Sequence, residues 1–168
     1  MNATAHLLSA GEAWTVLESV PDPEIPVISV IELGIVRKLE MLDDGVRVTV
    51  TPTYSGCPAT ELIADTIREA LVAAGAGRVE VVTRLAPAWT TDWLTDETKE
   101  KLRAWGIAPP TGTAASAARP LTFVPSAPAS PRCGARDTVR LSEFGSTACK
   151  ALYRCRDCLE PFDYFKPI

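Results

Sequence analysis

Histidine is nearly missing from the chain: His6 is the single one among 168 residues, and it stands close to the amino terminus. Mechanisms built on a positioned imidazole are therefore disfavoured, among them Ser-His-Asp and Cys-His nucleophile systems and HExxH zinc hydrolysis. Lysine and arginine are absent before Arg37, so the basic start of a secretory signal is not found. Nor does any apolar run approach the ~18 residues that would span a bilayer. The expectation is a soluble, cytoplasmic protein. A formal net charge of -4 gives no global basic field toward nucleic acid.

What the chain does hold is five cysteines and fourteen prolines. In a reducing compartment, clustered cysteines point to metal ligation or reactive thiols rather than disulfides. Six of the prolines fall between Ala108 and Pro131, among many Ala, Ser and Thr residues. Such a stretch buries little apolar surface and is expected to be a flexible linker. The charge divides at its end. Residues 1–131 carry 10 basic and 16 acidic side chains, and residues 132–168 carry 7 and 5. The expected organisation is an α+β domain over 1–107, a linker over 108–131 and a small β metal-binding module over 132–168.

Within the first domain, Ala13, Trp14, Val16, Leu17 and Val20 have the spacing of a short amphipathic helix, ended by Pro21-Asp22-Pro23. Ile35–Leu42 and Val46–Thr51 flank Asp43-Asp44-Gly45 as a β-hairpin, with Val46, Val48 and Val50 alternating along its second strand. A longer helix follows over Ala59–Ala74, closed by Gly75, then a strand over Val79–Leu85. A last helix over Thr95–Trp105 is capped by Thr95 or Asp96 and stopped by Gly106. Helix, hairpin, helix, strand, helix is the order of a small α+β layer structure.

The chemistry of this domain centres on Gly56-Cys57-Pro58. Proline suits the first helical position, which would put Cys57 at or beside the N-cap. Unpaired N–H groups and the helix dipole there favour a thiolate, raising reactivity and metal affinity. The alternative is a half-buried cap residue with an inert thiol. The carboxylates of Asp22 and Glu24 could face this loop. Equally, Asp22 could do no more than cap a turn.

Cys133, Cys149, Cys155 and Cys158 fall within 26 residues. Cys155-Arg156-Asp157-Cys158 has the spacing that lets two thiolates hold one ion. Cys133-Gly134 resembles the second half of another such knuckle, with Ser130 where its first cysteine would stand. A short body with few large apolar residues needs a staple, and a structural metal is the usual one in a reducing compartment. Serine is a poor zinc ligand, so Cys149 is expected as the fourth thiolate. Zinc leads, while an iron–sulfur cluster would use the same ligand set. Tyr153, Phe162, Tyr164 and Phe165 are expected under the strands. The basic residues are scattered, which argues against a nucleic-acid surface.

Asp22-Pro23-Glu24-Ile25-Pro26, Leu33-Gly34-Ile35-Val36 and Thr51-Pro52-Thr53-Tyr54-Ser55-Gly56-Cys57-Pro58 resemble the MIP18-like (DUF59) family of iron–sulfur assembly domains. Further on, Pro87-Ala88-Trp89, Glu143-Phe144-Gly145-Ser146-Thr147-Ala148-Cys149 and Glu160-Pro161-Phe162-Asp163-Tyr164-Phe165-Lys166 extend the resemblance. The whole chain looks like the family of accessory proteins of the bacterial phenylacetyl-CoA epoxidase, a multicomponent diiron monooxygenase with an iron–sulfur reductase. The resemblance implies a non-catalytic maturation factor, assisting iron–sulfur cluster or iron insertion, rather than an enzyme. It makes Cys57 the functional thiol, with Glu24 of the acidic motif close by. Its partners would be the oxygenase components, the reductase, or both; a homodimer stays open. An epoxidase subunit and a ribbon-type regulator are the other readings. Two departures stand out: Ser130 breaks the family's usual C-P-x-C, and Pro167 replaces a final cysteine. Four carboxy-terminal cysteines remain where relatives often have six.

Overall fold

The computed structural model describes residues 8–111 and 127–168. His6 and linker residues 112–126 lie outside them. The chain divides into two units between Ala88 and Trp89.

The first unit opens with α1 (Ala10–Glu18), whose Ser9 and Glu12 form a reciprocal capping box. The hairpin pairs β1 (Val36–Leu42) with β2 (Gly45–Val50) in antiparallel register, Leu42 opposite Gly45. After β2 the chain crosses through α2 (Thr60–Ala73) into β3 (Arg78–Thr83), which runs parallel to β2. The sheet order is β1-β2-β3, so β2 is central. One face of β2 is sealed, with Val46, Val48 and Val50 all at 1% exposure or less. Ala13 and Leu17 of α1 and Ile63, Ile67 and Leu71 of α2 are buried as the helical side of this core. Arg47 and Glu80 face each other on adjacent strands, joined by a two-pronged hydrogen bond of 2.9–3.0 Å. These are the layers that the alternating and 3.6-residue patterns predict.

Between α1 and β1 the chain folds into a tight, apolar-lined connection. Ile25, Ile28 and Val30 are buried, and Pro21 bridges to Ser29. Asp22 holds its start: Oδ1 accepts the backbone N–H groups of Glu24 and Ile25 at 2.9 and 2.8 Å.

The second unit holds a 3-10 turn (Thr91–Trp93), α3 (Asp96–Ala104) and a four-stranded sheet. Thr95 caps α3 as expected, its hydroxyl accepting from Thr98 N–H. The strands are β4 (Ile107–Ala108), β5 (Thr138–Ser142), β6 (Lys150–Cys155) and β7 (Pro161–Phe165), in the order β4-β7-β6-β5. The contacts thus divide the chain near residue 88, not at the expected 107. The reason is pairing: β4 runs parallel to β7, and Thr91 N–H donates to the carbonyl of Ile168. Phe162, Tyr164 and Phe165 are buried, with Tyr153 stacked on Phe162 at 6.0 Å and edge-on to Tyr164 at 5.5 Å. Among the described residues, no helix is long and apolar enough to cross a membrane.

Candidate functional site

Two loops at one end of the second sheet bring three thiols together. The first, Ser130 to Ala135, closes by Ser130 N–H donating to the Ala135 carbonyl at 2.9 Å, and Gly134 sits at φ +76°. The second, Cys155 to Glu160, closes by Cys155 N–H donating to the Glu160 carbonyl at 3.0 Å. There Leu159 sits at φ +63°, the left-handed region that a leucine enters only at a cost of about 1–2 kcal/mol. Strand register explains why the loops meet. Thr138, the first residue of β5, lies opposite Cys155, the last of β6, and Arg156 N–H donates to the Asp137 carbonyl.

The result is a group of ligand atoms from Cys133, Cys155 and Cys158, all within 4.8 Å of one another. Cys133 Sγ and Cys155 Sγ are 3.6 Å apart. A tetrahedral site with metal–sulfur bonds of about 2.3 Å has edges of about 3.8 Å, so the thiols stand at the spacing of metal ligands. Cys155 is fully buried and belongs to the apolar cluster with Ala108, Phe162 and Tyr164, while Cys133 is exposed. The donor set fits a soft divalent cation.

The electrostatics favour loading. The Ser130 hydroxyl, then the Ala135 backbone and the Cys158 thiol, stabilise a Cys133 thiolate and bring its pKa down to about 7. At Cys158 the Glu160 backbone pulls downward, but burial and the thiols of Cys133 and Cys155 outweigh it, and the pKa ends above the ordinary value. The Cys133 thiol is thus ready to ionise near neutrality, the form in which a thiol ligates a cation.

The expected fourth thiolate is elsewhere. Cys149 immediately precedes β6, whereas Cys155 ends it. Six residues of extended strand span about 20 Å, which carries Cys149 to the far end of the sheet. It is buried there, 3.0 Å from the Thr147 hydroxyl, and its carbonyl accepts from Lys166 N–H. Instead, Ser130 stands beside the three thiols, its Oγ 3.8 Å from Cys158 Sγ. The spacing carried this signal. Ser-x-x-Cys-Gly repeats the offsets of Cys-x-x-Cys-Leu, but the weak donor power of serine led the reading to Cys149.

In the first unit, the helical start differs from expectation. α2 begins at Thr60, with Ala59 as its N-cap and no side-chain cap. Cys57 therefore lies one turn ahead, its N–H bonded to the Tyr54 carbonyl and its carbonyl accepting from both N–H and Oγ1 of Thr60. A dipole effect fades within a turn, so the N-cap argument for this thiol weakens. Cys57 is half-buried on a loop that exposes Tyr54, Ser55 and Gly56. Glu24 is half-buried and Asp22 buried. Among the described residues, the cysteine group of the second unit is the one gathering of three or more such ligand atoms, and Cys57, Asp22 and Glu24 do not form another.

An iron–sulfur-assembly-type α+β fold followed by a ribbon with paired cysteine knuckles defines the class of this protein. Residues 12–83 match the family model of iron–sulfur cluster assembly proteins, and residues 119–166 match the PaaD zinc beta ribbon domain. The chain belongs to the PaaD family: over 94% of its length, and 92% of the relative's, it is 51% identical to an Escherichia coli protein named as a component of the 1,2-phenylacetyl-CoA epoxidase. An Fe-S protein maturation auxiliary factor of Porphyromonas gingivalis is 35% identical over 48% of this chain and 78% of its own. Among solved structures, a DUF59 domain from Bacillus anthracis superposes with a TM-score of 0.51 and 24% identity, over 55% of this chain and 89% of that one. That likeness shows the fold alone.

Proposed function

We propose that this protein is a cytoplasmic accessory factor of a multicomponent phenylacetyl-CoA epoxidase and that it assists iron or iron–sulfur cluster insertion into that enzyme. The observation that carries the reading is a combination. One chain is 51% identical, nearly end to end, to a protein named as an epoxidase component, and its first unit matches an iron–sulfur assembly model. The assembly match favours maturation over a part in turnover. Cys57 is the residue proposed to handle the iron or cluster, which is cargo here. A thiol on an exposed loop can take a metal ligand position and yield it by exchange, whereas a closed set of thiolates holds its ion. Glu24 is proposed to assist that thiol, and Asp22 to shape the segment carrying Glu24 through its two backbone hydrogen bonds. The ribbon holds zinc as a structural ion and offers the docking body for the oxygenase components or their iron–sulfur reductase.

The test is to co-express the epoxidase components with this protein, without it, and with Cys57→Ala. Iron and acid-labile sulfide are then measured in the purified enzyme. The reading expects several-fold lower cofactor content in the last two samples, and equal content in all three would overturn it. A direct part in turnover makes a different prediction, in which cofactor-replete enzyme still requires this chain for activity.

A further inference from the structure

The two loops of the ribbon are one structure made twice. In each, the first residue donates its N–H to the carbonyl five positions on, at 2.9 Å from Ser130 and 3.0 Å from Cys155. In each, the residue four positions on has a positive φ, +76° at Gly134 and +63° at Leu159. The third position on is a cysteine in both, Cys133 and Cys158. Ser130 is therefore the positional twin of Cys155, and it is as deeply placed, at 2% exposure against 0%. Its Oγ lies 3.8 Å from Cys158 Sγ and 3.5 Å from Cys133 N, and so faces the thiol group. Cys149, at the opposite end of β6, has no such placement.

We propose that the ribbon binds one thiophilic divalent cation through Cys133, Cys155 and Cys158 with Ser130 in the fourth place, and that this place accepts an added monothiol. The inference rests on the metal-binding reading of the ribbon and is independent of the maturation role. A neutral hydroxyl is a weak donor to a soft cation, so a thiolate displaces it readily. Ser130 itself borders a cavity of about 300 Å³, lined also by Pro131, Arg132, Trp105 and Glu160, beside which an added thiol would enter. An incoming thiol binds as thiolate, releases its proton to buffer and frees the serine hydroxyl unchanged. The fourth place is thus an exchangeable position in an otherwise closed site.

The experiment uses the full chain loaded with Co(II), whose sulfur-to-metal charge-transfer absorbance grows with the number of bound thiolates. Wild type and Cys149→Ser should give equal, three-thiolate intensity. Ser130→Cys should give the four-thiolate intensity and hold the ion about 10- to 100-fold more tightly against a chelator. Added 2-mercaptoethanol should raise the wild-type signal toward that of Ser130→Cys and leave Ser130→Cys unchanged. Loss of intensity in Cys149→Ser would overturn the assignment, and a wild-type spectrum indifferent to the thiol would overturn the open position. Failure of the wild type to bind Co(II) at all would instead remove the metal reading beneath it.

Discussion

Replacing Cys155 with alanine should leave the second unit without metal and without its fold. Cys155 is the inner thiol of the site: it is fully buried, lies 3.6 Å from Cys133 Sγ and packs with Ala108, Phe162 and Tyr164. Its N–H closes the second knuckle, and its position at the end of β6 sets the register that brings the first knuckle alongside. Structural zinc sites contribute on the order of 10 kcal/mol or more of apparent binding free energy. That is comparable with the whole stability of an ordinary domain, about 5–15 kcal/mol. The apolar cluster at the site is only Ala108, Cys155, Phe162 and Tyr164, so the substitution removes one of its four buried members together with the metal ligand. Metal analysis of anaerobically purified protein should show about one ion per chain in wild type and in Cys57→Ala, and none in Cys155→Ala. Limited proteolysis should then cut the variant within 127–168, with the helical signal of α1 and α2 retained. A chelator applied to wild type should reproduce both results. Full metal content in Cys155→Ala would place the ion elsewhere.

The parts of this fold that the sequence made legible are those with a period. Val46, Val48 and Val50 alternate and form the buried face of β2. The apolar rows at Ile63, Ile67 and Leu71 mark the inner face of α2. β4 left no such trace. Two residues carry no period, and Ile107–Ala108 is a strand because it pairs with Asp163–Tyr164, more than fifty positions away. That pairing is what shifts the unit boundary toward residue 88. At Cys57 the proline rule set the helical start too early. Thr60 folds back on the Cys57 carbonyl through both its N–H and its hydroxyl, making a separate turn before the helix. In the ribbon, the thiol spacing located the site, while ranking donors by chemistry chose Cys149 over Ser130. Geometry chose the other way, because a ligand must first be within reach, and strand β6 separates Cys149 from the site by its full length.

A second large effect is expected at the end of the sheet where Cys149 lies. Lys150 is 3% exposed, an unusual depth for an ammonium group, and its Nζ is 3.8 Å from Asp163 Oδ2. The two side chains are diagonal neighbours, since Lys150 lies opposite Phe165 and Asp163 is two residues back on β7. Ser146 also donates to Asp163 Oδ2, at 2.9 Å, and Gly145 N–H donates to the Lys150 carbonyl. A Cβ on Gly145 would press against this carboxylate, so glycine lets the loop before β6 close over the pair. Asp163→Ala would take away the counter-charge and leave the cation in place. The expected loss is about 3–5 kcal/mol, because breaking a buried pair strands the remaining ion. Lys150→Met keeps the stem and removes the charge, and Asp163, 22% exposed, can still draw on water. Its expected cost is about 1 kcal/mol. The double variant should cost much less than the sum of the two single ones, since the stranded ammonium is then gone. Denaturant unfolding of metal-loaded protein, followed by tryptophan fluorescence, to which Trp89 packed on Phe165 contributes, measures all three. Additive losses in the double variant would mean that Asp163 serves only to anchor Ser146, and not to neutralise Lys150.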